Sequence, residues 1–230
     1  MVGPVIGNSR VISSKAEGPD PRLQDLIERY QSSRYQKPLA DHTVAAVNWL
    51  ADQIDLNNAD IVLDTGCGTG QSTAHLADSA TNKDTVFLGV DQSAARLDSD
   101  HWQAPGVRNG QVILLRAELS DFWRLLEERQ VIVQKHYFLY PNPWPKPSQL
   151  QRRWHAHPAF SSALSLGGSI ELRTNWAAYA EEFAAALRLY GVGPAKAEKI
   201  QPQTPVSPFE KKYLASGHLL YGVCWPGLTT

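Results

Sequence analysis

The chain has 230 residues, enough for one large α/β domain, and 43% of them are hydrophobic. Its formal net charge of -1 means that any contact with nucleic acid must come from a local patch. The two cysteines form neither a disulfide framework nor a metal-site pattern. There is no run of about 18 apolar residues that would span a membrane, and the N-terminus lacks the apolar core of a signal peptide. We therefore expect a cytoplasmic protein that uses neither a membrane nor a metal.

Strand and helix patterns alternate along most of the chain. Residues 1–20 are rich in Gly, Pro and Ser, and with a short helix at 22–31 they form a predicted flexible leader over residues 1–37. Residues 38–230 are predicted to be one domain that begins with a helix at 42–54. The predicted strands lie within 59–66, 85–93, 111–119, 136–140 and 167–175, with a possible closing strand at 216–225. The predicted helices are 71–80, 93–102, 121–131, 148–166 and 177–190.

This alternation predicts an α/β fold, namely a Rossmann-like, doubly wound and mostly parallel sheet with helices on both faces. In such sheets ligands bind at the carboxyl ends of the strands, near the point where the strand order reverses. The unusual local sequences all follow predicted strands: a glycine loop at 64–70, Asp91, Glu118 and a proline-rich segment at 140–147. Their shared position predicts one site at one edge of the sheet.

The glycine loop reads DTGCGTG. Gly66, Gly68 and Gly70 permit positive φ angles and a close approach of a ligand to the backbone. A tight turn without a ligand is the alternative interpretation. The G-x-G-x-G spacing differs from the dinucleotide pattern, and Asp91 ends the next strand, 27 residues after Asp64. A carboxylate at that position can accept hydrogen bonds from both ribose hydroxyls of an adenosine, although a solvated carboxylate at a strand end is equally compatible with the pattern.

The loop and Asp91 together resemble the first two motifs of the class I S-adenosylmethionine-dependent methyltransferases. The resemblance implies that Asp64 and the loop hold the methionine end of the cofactor and that Asp91 holds its ribose. Glu118, at the next strand end, would contact the adenine amino group. Asp121 is the weaker choice for that contact, since it can cap the helix that follows.

The proline-rich segment YPNPWPKP begins a more specific pattern. Four prolines in eight residues cannot lie inside a helix or a central strand. The segment and its continuation resemble the F-P-D-P-W-P-K, K-R-R and P-E-F signature of the tRNA (guanine-N7)-methyltransferases, which methylate guanine 46 of tRNA. Further similarity lies in LRTNWAAYAEEF and PVSPFEKKYLASGH, so that the resemblance covers roughly residues 60–225. The matching residues are Pro141, Pro143, Trp144, Pro145, Lys146, Arg152, Arg153, Pro158, Phe160, Thr174, Trp176, Tyr179, Ala180, Phe209, Glu210, Gly217 and His218.

The family's two aspartates at the acceptor site are replaced here by Asn142 and Asn175. An amide can still form hydrogen bonds with a base edge, but it supplies no negative charge. By the resemblance, both asparagines line the guanine pocket together with Thr174 and Glu210. Phosphate contacts are expected from the basic residues of the signature, Lys146, Arg152 and Arg153.

The stretch from Arg129 to Ile170 contains no Asp or Glu. It therefore predicts a basic face that attracts the phosphates of tRNA. Trp144 and Trp154 could stack on an extruded base. The alternative is a modestly basic helix face with tryptophans in the core.

These observations predict an S-adenosylmethionine-dependent methyltransferase that acts on guanine N7 in tRNA. Two alternatives stay open because of the two asparagines: the same fold with another acceptor, either a small molecule or another RNA position, and a weakly active or non-catalytic relative that binds RNA or cofactor. The sequence makes no prediction of the oligomeric state.

Overall fold

The computed structural model describes Ser9 and residues 18–93, 95–97 and 105–227. The strands in these ranges are β1 (Ile61–Thr65), β2 (Val86–Asp91), β3 (Gly106–Asn109), β4 (Val112–Arg116), β5 (Lys135–Leu139), β6 (Ser169–Thr174), β7 (Ala197–Ile200) and β8 (Leu220–Trp225). The α-helices are α1 (Leu23–Gln31), α2 (Asp41–Gln53), α3 (Gln71–Asp78), α4 (Leu119–Glu128), α5 (Phe160–Ser165), α6 (Ala177–Leu189) and α7 (Pro208–Ala215).

All eight strands form one sheet in the order β3-β4-β2-β1-β5-β6-β8-β7. The five central strands β4, β2, β1, β5 and β6 are parallel, while β3, β8 and β7 each pair antiparallel with a neighbour. The predicted parallel sheet is thus confirmed, and the expected closing strand is β8. The edge strands β3 and β7 were not predicted, because their four residues alternate too little between buried and exposed positions.

Helices cover both faces of the sheet. Along β1, Ile61 and Leu63 join one hydrophobic cluster while Val62 joins another, as the two-residue period of a strand requires. The first and larger cluster contains buried side chains from α2, α4, α5 and α6. The second contains Leu76 and Ala77 of α3 and is flanked by side chains of α7. Burial on both faces explains why these central strands are almost continuously apolar.

The long helix predicted at 148–166 is not formed. Two short 3-10 segments, Pro147–Arg152 and Trp154–Ala156, precede the single short helix α5. The backbone is extended at Arg153 and at His157 between these pieces. Pro158 accounts for the second break, since a proline disfavours the helical conformation in the residue before it. The helix expected at 93–102 falls largely on residues outside the described ranges.

The short helix predicted inside the leader is α1, and it packs on the domain. Its buried side chains Leu23, Leu26 and Ile27 share a cluster with Leu150 and with Ala186 of α6, among others. Helix α1 is therefore packed against α6, while the boundary at residue 37 stays a prediction. Within the described ranges, no helix combines the length and apolar character that crossing a bilayer needs.

Candidate active site

The reversal of strand order places two unusual loops side by side. In the sheet, β2, β4 and β3 lie on one side of β1, and β5 and β6 lie on the other. β1 and β5 run parallel, with Asp64 in register with Tyr137. The glycine loop after β1 and the proline-rich segment after β5 therefore leave the sheet at neighbouring carboxyl ends, where α/β proteins bind ligands.

The three glycines of the loop have different surroundings, although all have positive φ angles, of 75°, 60° and 77°. A Cβ atom on Gly66 or Gly68 would meet no heavy atom within 4 Å, so their Cα atoms border open space. A Cβ atom on Gly70 would lie 2.5 Å from the side chain of Leu114. Gly66 and Gly68 can therefore border a ligand, whereas Gly70 allows α3 to pack closely on β4.

Asp64 lies beneath the loop and is 1% exposed. Its Oδ2 atom accepts hydrogen bonds from Ser72 Oγ at 2.6 Å and from Thr73 Oγ1 at 2.7 Å. Burial raises the pKa of the Asp64 carboxyl to about 6, against the lowering effect of these two hydroxyls. The carboxyl fastens the start of α3 to the end of β1, which supports the loop from inside. This position does not fit the predicted direct contact between Asp64 and a ligand.

The buried Asp64 carboxyl predicts a pH dependence of stability. Its pKa is 3.8 in the unfolded chain and about 6 in the fold, so between these values the folded state binds more protons. Stability from this group therefore decreases as the pH rises from about 4 to about 6, by ~3 kcal/mol in total. We expect Asp64→Asn to remove this slope in urea unfolding measured at several pH values. Asp78→Asn, on the exposed end of α3, is the control and should keep it, and an unchanged slope in Asp64→Asn would contradict the assignment.

Asp91 connects the loop to the end of β2. Its Oδ2 atom accepts from Gly68 N at 3.0 Å, and its Oδ1 atom accepts from Ser93 N at 2.8 Å. Arg96 lies 3.8 Å from Oδ2. Each carboxylate oxygen can accept a second hydrogen bond, so Asp91 holds the loop and still has capacity for the two hydroxyls of a ribose.

Two further polar side chains stand at this edge. Glu118 precedes α4, and the Gln92 amide can donate to both of its carboxylate oxygens at 3.1–3.2 Å. Thr65, the last residue of β1, has a buried Oγ1 atom without a hydrogen-bond partner among the described residues. Thr65 was not among the predicted site residues, although its position directly before the first glycine of the loop could have indicated a ligand contact. An open glycine backbone, two carboxylates and an unpartnered hydroxyl fit a cationic adenosine derivative such as S-adenosylmethionine.

The proline-rich segment has a fixed and strained backbone. Tyr140 and Trp144 have positive φ angles of 54° and 46°, which non-glycine residues rarely adopt. Asn142 lies between them and is exposed. The Arg152 guanidinium lies over the Trp144 ring, with its Cζ atom 4.4 Å from the ring centroid. Lys146, two residues after Trp144, is exposed. The segment thus presents an amide, an aromatic ring and two cations at the carboxyl end of β5.

Arg153 does not fit its predicted contact with phosphate, because its side chain points into the protein. It donates to Glu182 Oε1 at 2.6 Å and to the Trp144 carbonyl at 3.2 and 3.1 Å. Glu182 is 1% exposed and also accepts from His155 Nε2 and from the backbone N–H of Asp20. Arg153 therefore braces the proline-rich segment from the core side.

Trp154 does not fit the predicted stacking on a base. Its ring packs edge-on against the fully buried Trp123 at 5.2 Å between centroids and is half-buried beside the main core cluster. Trp144 is also half-buried, and its ring lies under the exposed Arg152 guanidinium. Of the two tryptophans, Trp144 is the one that belongs to the proline-rich segment.

The end of β6 supplies the remaining predicted residues. Thr174 is buried, and its Oγ1 atom accepts from Trp176 N at 3.2 Å. Asn175 follows at the edge and is half-buried, with its Nδ2 atom 3.1 Å from His218 Nδ1. Because Tyr140 N donates to Arg173 O, the proline-rich segment begins directly beside this strand end. Asn142 and Asn175 thus occupy neighbouring loops.

Glu210 is fully buried at the start of α7 and does not fit direct contact with a substrate. Its carboxylate accepts from Tyr140 Oη at 2.8 Å, from Arg173 at 3.2 Å and from Val206 N at 2.6 Å. Burial raises the pKa of the Tyr140 hydroxyl, and the hydrogen bond to Glu210 raises it further. Glu210 therefore fixes Tyr140, and through it the first residue of the proline-rich segment.

The sequence similarities agree with this site. A family model described as "Putative methyltransferase" matches residues 58–222. The chain is 26% identical over 166 residues to the tRNA (guanine-N(7)-)-methyltransferase of Treponema pallidum (strain Nichols), a match that covers 71% of this chain and 65% of that protein, slightly less than two thirds of its length. The enzyme of the same name from Halorhodospira halophila (strain DSM 244 / SL1) is 26% identical over 182 residues, covering 71% of this chain and 73% of that protein.

The fold also has a counterpart among solved structures. An antibiotic related methyltransferase superposes with a TM-score of 0.52 and 15% identity, covering 83% of this chain and 96% of that chain. At this identity the likeness concerns the fold alone. The family match covers well over half of the chain and includes the glycine loop, Asp91 and the proline-rich segment. The chain belongs to this methyltransferase family.

Proposed function

We propose that this protein is an S-adenosylmethionine-dependent methyltransferase that methylates guanine N7 in tRNA. The observation that carries the proposal is the arrangement of loops around the reversal of strand order. A glycine loop held by Asp91 lies on one side, and the loops of Asn142 and Asn175 lie on the other. A donor site and an acceptor site therefore share one edge of the sheet.

S-adenosylmethionine would supply an activated methyl group on a cationic sulfur, and in the proposed site Asp91 and Glu118 would hold its ribose and adenine. Guanine N7 carries an in-plane lone pair and no proton, so that the site needs no general base. The contribution of the protein is then mainly alignment of the two reactants. A backbone restricted by Pro141, Pro143 and Pro145 suits this task, because it loses little conformational entropy when a substrate binds.

Positive charge develops on the purine as the methyl group arrives, and a carboxylate at the acceptor site would stabilise it. Asn142 and Asn175 supply hydrogen-bond acceptors without that charge. Lys146 and Arg152 remain exposed for phosphate, whereas Arg153 and Glu210 support the loops from within. We therefore assign guanine recognition to the two asparagines and electrostatic attraction of tRNA to the two exposed cations.

A different acceptor, either a small molecule or another RNA position, is the second candidate. The observation that favours it is the pair of neutral amides where the tRNA (guanine-N7)-methyltransferase signature has two aspartates. If the absence of both carboxylates abolishes methyl transfer altogether, the protein is a relative that binds cofactor or RNA without catalysis.

The test is incubation of the purified protein with radiolabelled S-adenosylmethionine and tRNA from a strain that lacks the modification. We expect label in tRNA that maps to guanine N7, since strand scission at N7-methylguanine locates it to one nucleotide. Label at another position would favour the second candidate. No transfer to tRNA or to small molecules, despite measurable cofactor binding, would leave the non-catalytic alternative.

Restoring the two carboxylates should increase the rate. We expect the double variant Asn142→Asp, Asn175→Asp to methylate guanine about tenfold faster or more, because a charge beside the developing cation lowers the barrier by ~1.4 kcal/mol or more. Asn57→Asp, in an exposed turn before β1, adds one negative charge away from the site and should leave the rate unchanged. A double variant no faster than the parent in a matched tRNA assay would contradict guanine as the acceptor.

A further inference from the structure

The side-chain amide of Asn175 is held on its nitrogen side by His218. Its Nδ2 atom lies 3.1 Å from His218 Nδ1. Among the described residues, none donates to Asn175 Oδ1, so the oxygen remains available to a ligand.

His218 is held from its other side by Ser9. Its Nε2 atom lies 3.3 Å from Ser9 O, and Ser9 N donates to Ser216 Oγ at 3.2 Å. The imidazole ring also stacks on Tyr213, with 5.2 Å between centroids and 26° between planes. The position and plane of the ring are therefore fixed by three neighbours.

These contacts determine where the proton of a neutral imidazole lies. A carbonyl oxygen can only accept, so Nε2 must carry the proton that is donated to Ser9 O. Nδ1 is then an acceptor and requires a donor, which only the Nδ2 end of the Asn175 amide can supply. The Ser9 carbonyl thus selects the tautomer of His218, and the tautomer selects the orientation of the amide.

We propose that His218 is a positioning residue that turns Asn175 so that its Oδ1 atom accepts hydrogen bonds from guanine N1 and N2. This inference rests on the proposed function and explains how an amide can take the place of an aspartate. A freely rotating amide would present an oxygen and an NH2 group alternately, and the NH2 group would suit the N1 acceptor of adenine. The fixed amide presents only an acceptor, as a carboxylate would, and keeps the preference for guanine without the negative charge.

The experiment is a double-mutant cycle on guanine methylation of tRNA. His218→Phe keeps a ring that can stack on Tyr213 but removes the acceptor, and we expect kcat/KM to fall about tenfold, the value of one oriented hydrogen bond. His218→Asn restores an acceptor near the former Nδ1 and should recover most of the loss. In an Asn175→Asp background the same His218→Phe change should cost less than about threefold, since either carboxylate oxygen accepts. Equal losses in both backgrounds would overturn the proposal.

A second measurement does not depend on turnover. Nitrogen NMR on protein labelled with 15N-histidine, with the His218 signal assigned by its loss in His218→Phe, should show the Nε2-protonated neutral tautomer at pH 8. The Nδ1-protonated tautomer would overturn the inference. Cofactor affinity, measured by calorimetry, should be equal in all four proteins of the cycle and serves as the control for folding. If the parent methylates no guanine, the proposed function fails; if the parent is active and His218→Phe is equally active, only the positioning role fails.

Discussion

Replacing Asp91 with alanine is expected to raise the dissociation constant for S-adenosylmethionine about a hundredfold or more. In the proposed complex the carboxylate accepts from two ribose hydroxyls, and hydrogen bonds to a charged group are worth ~1.5–3 kcal/mol each. Two such bonds correspond to a factor of about a hundred at the lower limit. The substitution also removes the partner of Gly68 N, which fixes the glycine loop. Isothermal calorimetry with the cofactor and with its demethylated product measures the effect.

The control for this variant is Asp84→Ala. Asp84 is exposed just before the amino end of β2, while Asp91 lies at its carboxyl end, so the two variants change the same charge at opposite ends of one strand. We expect Asp84→Ala to bind the cofactor as the parent does. Affinity within about threefold of the parent in Asp91→Ala would mean that the ribose is held elsewhere, since one lost charged hydrogen bond alone should exceed that factor.

The central part of the fold was predictable because its signals are local. The strands β1, β2 and β5 contribute to the apolar runs 61–63, 86–90 and 137–140, each followed by an aspartate or a proline. Such runs arise where a parallel strand is buried on both faces, so their ends could be recognised without knowledge of any contact. The expectation that the glycine loop, Asp91 and the proline-rich segment share one edge followed from that alone.

The residues that misled the sequence analysis are those with distant partners. Arg153 reads as part of a basic surface run, yet it is buried because Glu182, 29 residues later, faces it from α6. By the family resemblance Glu210 lines the guanine pocket, yet Arg173 and Tyr140 enclose it. A charged residue can be buried only when a partner is present, and no local pattern indicates that partner.

Replacing Glu182 with glutamine should produce the largest loss of stability. The carboxylate is 1% exposed and forms hydrogen bonds with Arg153, His155 and the N–H of Asp20. Removing one member of a buried ion pair leaves the other charge unpaired, which costs about 3–5 kcal/mol. Glu181 directly precedes Glu182 on α6 and is exposed. Glu181→Gln should therefore change the free energy of unfolding by no more than about 0.5 kcal/mol. Urea unfolding of both variants measures the difference, and equal midpoints would contradict the role of Glu182.

The same ion pair links stability to the candidate active site. Glu182 accepts from the same Arg153 guanidinium that donates to the Trp144 carbonyl, and Trp144 has a positive φ angle that such a contact supports. Replacing both partners with apolar residues, Arg153→Met with Glu182→Leu, should recover part of the stability, because no unpaired charge remains although His155 Nε2 and Asp20 N lose their acceptor. Methyl transfer should stay low in that double variant, since the proline-rich segment still lacks its brace. A double variant that is both stable and fully active would show that the segment keeps its conformation without Arg153.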